Sequence, residues 1–349
     1  MRTKKVLASA ASALSILAAT VLLPQAAAAA SGDTLKAVQA RGHLACTGHN
    51  GSFEGFAEVD DKGNWKGFDV DYCRAVATAV FGDPSKVAFL PVSWAQRFPS
   101  LQSGELDVVI KATGWTMSRD TELGLQFSVP YFLGLTQVMV PKSLGVSDVK
   151  GLEGGTACVE AGTSTERQAA NYFKRVGVNV KLITFEKTTE ARAAYFGGRC
   201  DSFIQWGPNL ATARLAAPKP EDHIILPDNL ALEAEAAVVR QGDDPWLDIV
   251  NWTFFTTWLA EEYGITSKNV DEMKAKPADE TVAKLLGVTP GYGSRLGLPD
   301  DWGYKVIKLV GNSKEIYDRS LGEGSPYKLP RGLNNLWSNG GVLYPAGLD

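Results

Sequence analysis

Leu106-Asp107-Val108-Val109-Ile110-Lys111-Ala112-Thr113-Gly114-Trp115-Thr116-Met117-Ser118-Arg119-Asp120 begins apolar and ends in hydroxyl and guanidinium groups. The run 106–110, set off by Gly104, reads as a buried strand. Polar groups just past the end of such a strand are where open α/β sheets hold ligands. Arg119 has the planar fork that grips a carboxylate bidentately. The plainer reading on spacing alone is a surface ion pair with Asp120 or Glu122.

Outward from this strand the chain alternates short apolar runs with amphipathic stretches, the pattern of layered α/β structure. Strands are expected at 43–47, 87–92 and 129–140, and short helices at 94–103 and from Gly67-Phe68-Asp69-Val70-Asp71 to a stop at Gly82. A second unit repeats the plan, with strands at 156–160, 179–185, 201–205 and 224–226 and helices at 165–175 and 189–196. An extended segment, 232–240, leads into an amphipathic helix at 244–263, and the remainder reads as a loop-rich appendage. Two α/β units joined by extended runs near 138 and 236 imply two lobes linked by two crossing strands, with a ligand cleft between them. The expected division is 31–137 with 238–349 for lobe 1 and 138–237 for lobe 2. In the second unit, Gly162-Thr163-Ser164-Thr165-Glu166 follows a strand and has the spacing of a capping box, which presents backbone N–H groups to an anion.

The 349 residues carry a formal charge of −4, with 45% hydrophobic and 21% charged residues, which describes a globular chain of about two domains. No long basic run is present, so nucleic acid is not an expected partner. Arg2, Lys4 and Lys5, the apolar stretch 6–23 and the alanines 26–30 have the order of a signal peptide, and 1–30 is expected to be removed on export to the periplasm. Cys46, Cys73, Cys158 and Cys200 then read as disulfide partners in an oxidising compartment. Three pairings are open; Cys46 with Cys73 and Cys158 with Cys200 is the expectation. His43, His49 and His223 lie outside any metal-ligand spacing, and no metal or cofactor is expected.

Gly67-Phe68-Asp69-Val70-Asp71, Trp115-Thr116-Met117-Ser118-Arg119-Asp120 and Ala161-Gly162-Thr163-Ser164-Thr165 resemble the periplasmic amino-acid-binding proteins of ABC importers. Arg240-Gln241-Gly242-Asp243-Asp244, Gly297-Leu298 with Asp301-Trp302, and Arg331-Gly332-Leu333-Asn334 with Leu336-Trp337 are similar to the general L-amino-acid-binding branch. The resemblance implies a type II, Venus-flytrap periplasmic-binding-protein fold that closes on a small-molecule ligand. It also implies a monomer that docks on a permease of the inner membrane. By the same resemblance Arg119 and Thr116, with Trp115 beside them, hold a ligand carboxylate from one lobe. The backbone at Thr163 and Ser164 holds it from the other, and Phe53 or Phe56 lies against the ligand side chain.

The chain departs from that pattern at two points. Trp206 stands where the family usually places the Asp that pairs with the ligand ammonium, and Gly114 stands where a Thr or Ser hydroxyl is usual. Lys111 keeps a cation where the branch often has Arg. Leaving an ammonium buried without its carboxylate costs on the order of 3–5 kcal/mol. Three readings follow: a ligand that lacks the α-amino group, which is preferred; a cationic nitrogen facing Trp206 by cation–π contact; or Glu160 taking over the pairing. A dehydratase-like enzyme resembling cyclohexadienyl dehydratase is the alternative function. Its general acid would be Glu160 or Glu166, and Glu166 is better explained as a helix cap.

Overall fold

A computed structural model describes residues 33–49 and 53–349. The expected signal segment lies outside the described residues. The central element is a seven-stranded sheet. Its order is Val109–Gly114, Ala231–Arg240, Leu125–Pro141, Ser202–Trp206, Thr156–Glu160 and Lys181–Phe185, with the short strand His223–Ile225 also pairing with Leu125–Pro141. The first three pairings, out to that between Leu125–Pro141 and Ser202–Trp206, are antiparallel, and Ser202–Trp206, Thr156–Glu160 and Lys181–Phe185 are mutually parallel. Leu44–His49 and Val87–Val92 form a parallel pair beside this sheet, tied to it by a bridge between Cys46 and Val108.

Two long strands, Leu125–Pro141 and Ala231–Arg240, carry the chain between the two α/β units. Their side chains alternate between faces, so residues two apart look the same way. One core gathers Val138, Val149, Ala157, Phe173 and Ile204 of the second unit. The larger core holds Leu44, Phe68, Tyr72, Val108, Tyr131, Phe254 and Trp258. Cys46 is bonded to Cys73 and Cys158 to Cys200, each bridge stapling a strand of one unit to a neighbouring element.

Three local readings change. The buried strand is Val109–Gly114 rather than 106–110, because Asp107 is drawn aside to accept a hydrogen bond from Ala45 N at 2.7 Å and an ion pair from Arg41. The helix expected at 94–103 is confined to Arg97–Gln102, since Trp94 turns inward instead. The residues after 263 are rich in loops, as expected, but carry short helices, of which Trp302–Leu309 and Ser313–Ser320 pack Val306, Ile316 and Tyr317 into the larger core.

Candidate ligand cleft

One face of the sheet, where the crossing strands meet the second unit, forms the floor of a cleft. Across the strands Glu235 stands opposite both Gly114 and Phe132, and Glu233 opposite Gly134. Trp206, on the next strand, is opposite Thr136 and reaches diagonally over Gly134. Both glycines are required by their neighbours. A Cβ on Gly134 would fall 1.3 Å from Trp206 Nε1, and one on Gly114 would fall 2.8 Å from Glu233 Oε2. The hydroxyl missing at Gly114 therefore leaves the space that the Glu233 carboxylate fills.

Phe53, Trp94, Arg97, Arg119, Gln205, Trp206, Glu233 and Glu235 line the cleft, together with Thr163, Ser164 and Thr165 at the opening of the helix Ser164–Val176. In this structure the cleft holds about 20 Å³ of free space. Thr163 caps that helix by accepting from Glu166 N at 3.1 Å, while Glu166 turns back to accept from Gly162 N at 3.0 Å. Glu166 is thereby occupied in the cap. Ser164 Oγ donates to Glu233 Oε2 at 2.8 Å, a contact from the second unit to the crossing strand.

Two guanidinium groups face two carboxylates here. Arg119 donates to Gly114 O at 2.7 Å and lies over Phe98 at 5.4 Å; Arg97 donates to Trp94 O and covers the other approach to Phe98 at 4.2 Å. Burial lowers the pKa of Arg119 to about 10 and that of Arg97 well below its ordinary value, both effects arising from lost hydration first. Neither change neutralises an arginine at pH 7. Arg97, Glu233 and Glu235 are 1%, 6% and 1% exposed, yet Arg97 Nε, Glu233 Oε1 and Glu235 Oε2 lack a hydrogen-bond partner. Buried polar atoms left open in this way are costly unless a bound group completes them.

The other candidates separate. Phe53, Arg119, Thr163, Ser164 and Trp206 meet at the cleft. Phe56 lies behind it, packed on Trp206 at 4.7 Å, and Trp206 is itself held by Phe132 at 4.8 Å. Trp206 is thus built into an aromatic cluster, with its indole N–H over Gly134. Lys111 and Glu160 form a buried layer beneath the cleft: Lys111 Nζ sits 4.5 Å over the Trp94 ring and is attracted to Glu160 and Asp69. Burial pushes Glu160 and Asp69 up to about 7. Glu160 also accepts from Thr188 Oγ1 and is not among the residues that line the cleft, while its other oxygen is buried without a partner. Trp115 is 46% exposed and stacked on Phe127 at 5.9 Å, and it is not among the residues that line the cleft. Thr116 opens the helix Met117–Glu122 and does not line the cleft, although its hydroxyl is buried without a partner.

Residues 46–268 match the family model of bacterial extracellular solute-binding proteins, family 3. The chain belongs to this family. The solute-binding protein is 46% identical over 334 residues to the general L-amino acid-binding periplasmic protein AapJ of Rhizobium johnstonii, covering 95% of this chain and 97% of that one. It is 42% identical over 319 residues to the glutamate/glutamine/aspartate/asparagine-binding protein BztA of Rhodobacter capsulatus, covering 91% and 94%. A solved ABC transporter periplasmic binding protein from Brucella ovis with glutathione bound superposes with a TM-score of 0.86 at 46% identity, covering 90% of this chain and 98% of that one. The type II binding-protein fold follows, and the chain is a binding protein, not an enzyme.

Sequence reading missed Arg97, Trp94, Glu233 and Glu235 in this binding protein. For the two glutamates a signal was present. Leu232-Glu233-Ala234-Glu235-Ala236-Ala237-Val238-Val239 places two carboxylates on one face of an otherwise apolar strand, and buried charges of one sign demand a partner. Arg97 carries no such signal, because an arginine in a short helix is usually a surface residue.

Proposed function

We propose that the protein is the periplasmic solute receptor of an ABC importer and captures a small, amino-acid-like solute bearing both a carboxylate and a cationic nitrogen. The observation that carries this is the opposition of Arg97 and Arg119 to Glu233 and Glu235 inside one buried cleft, with open valences on both sides. Arg119 and the backbone N–H groups at the N-terminus of the helix Ser164–Val176 receive the carboxylate. Glu233 and Glu235 receive the nitrogen. Phe53 and Trp206, stacked at 6.1 Å, wall the apolar part of the ligand. The acidic residue expected at Trp206 has in effect moved to the crossing strand, which supports a ligand that retains its amino group over one that lacks it. The names of the relatives, which include binding of L-amino acids and of glutathione, agree with this choice.

In this reading lobe 1 comprises 31–137 and 238–349, lobe 2 comprises 138–237, and the lobes close by bending of the two crossing strands. Residues 1–30 are cleaved, and the monomer delivers its ligand to an inner-membrane permease. The test is thermal-shift and calorimetric titration of refolded, ligand-free mature protein. The panel comprises L-amino acids, glutathione, and dicarboxylates and keto acids without nitrogen. Saturable stabilisation by members with both groups is expected, with Arg119→Ala losing roughly 100- to 3,000-fold in affinity. Tighter stabilisation by the nitrogen-free acids, or full affinity in Arg119→Ala, overturns the assignment.

A further inference from the structure

Glu233 and Glu235 are two positions apart on one strand, buried on the same face of the cleft, and each acts on the other's charge. A hydrogen bond between two carboxyl groups needs a proton, since two carboxylates offer acceptors alone. Like charges at this separation in a dry site do not both ionise. The surrounding cations do not remove the problem. Arg119, from the helix Met117–Glu122, and Arg97, from the helix Arg97–Gln102, are committed in part to carbonyl groups. Lys111 is drawn toward Glu160 and Asp69. Asp69, which accepts a 2.7 Å hydrogen bond from the neutral Tyr131, adds negative potential from the other side. Burial first, and the Glu233 charge second, raise Glu235 well above the ordinary carboxylate range.

Both residues line the cleft, and Glu233 Oε1 and Glu235 Oε2 are buried without a hydrogen-bond partner. Ser164 occupies the other oxygen of Glu233. An ammonium group has three donors and one positive charge, which is what two open carboxylate oxygens and a deprotonated pair require. We infer that Glu235 shares one proton with Glu233 in the closed, ligand-free cleft and that the cationic nitrogen of the ligand displaces it, so capture releases a proton to solvent. The inference rests on the ligand class proposed above and adds the coupling of binding to proton release. No bond other than the Glu235 O–H is broken, and the ligand nitrogen stays protonated throughout.

The coupling has a fixed sign. Where the ligand-free pair holds its proton and the complex does not, affinity rises with pH, by up to tenfold per unit. Glu235→Gln removes the exchangeable proton and flattens that dependence, while Glu233→Gln removes the nitrogen's partner and weakens binding at every pH. The experiment has two arms on the mature protein. Carbon-13 spectra of the ligand-free protein, with Glu235 assigned by its loss in Glu235→Gln, are expected to show a protonated Glu235 carboxyl at pH 7. Calorimetry with L-glutamine, L-glutamate and glutathione at pH 7, in phosphate and in Tris, is expected to show about one proton released in the wild type and none in Glu235→Gln. An ionised Glu235 in the ligand-free protein, or equal proton release in wild type and variant, overturns the inference. Failure of all three probes to bind, with Glu235 protonated, counts instead against the amino-acid reading of the cleft and takes the displacement step with it.

Discussion

At the scale of single residues the cleft is shaped by exchanges between neighbours on one sheet face. Trp206 exists where it does because Gly134 has no side chain, and the Glu233 carboxylate because Gly114 has none. Each large group has a bare partner, so neither member of a pair is intelligible alone. The sequence reading found Trp206 and Gly114 as departures but read them as losses. Glu233 and Glu235, proposed above to receive the ligand nitrogen, lie 27 and 29 residues beyond Trp206, a distance that local patterns do not span. Gly134→Ala tests the pairing. Its methyl group drives the indole out of the Phe53, Phe56 and Phe132 cluster, with an expected loss of about 1–3 kcal/mol in urea denaturation and a weaker ligand affinity. Unchanged stability would mean that the indole has another place to go.

Elements were legible where periodicity is strong and boundaries were not where side chains compete for the backbone. The helix ended by Gly82 and the strands Val87–Val92 and Thr156–Glu160 lie where pattern and punctuation put them. The strand Val109–Gly114 slid forward because Asp107 is engaged by Ala45 and Arg41, partners more than sixty residues away. The helix Ser164–Val176 shows how an element serves the site. Its cap at Thr163 satisfies Glu166 N and aims the first turn into the cleft. Thr163→Ala is expected to cost about 1 kcal/mol in thermal or urea unfolding, with Thr163→Ser retaining most of it. Because the same turn faces the ligand, calorimetry should show affinity falling in Thr163→Ala as well; equal affinity would detach the cap from binding.

Across the whole molecule, contacts between the two units hold the cleft in the form seen. Arg192, in the second unit, reaches Glu54 beside Phe53 at 2.5 Å, and Ser164 reaches Glu233 from the same side. Partly exposed ion pairs contribute about 0.2–1 kcal/mol. Glu54→Gln is therefore expected to weaken ligand binding by about two- to fivefold, through faster release in stopped-flow displacement; an unchanged release rate would show that the pair does not latch the lobes. Family and layering were readable from the chain because each rests on neighbours in sequence: a strand followed by its polar end, a strand followed by its cap. The sign and chemistry of the cleft were not. Arg97, Arg119, Glu233 and Glu235 come from three separate elements, and their charges acquire meaning only when burial brings them within reach in a medium of low dielectric.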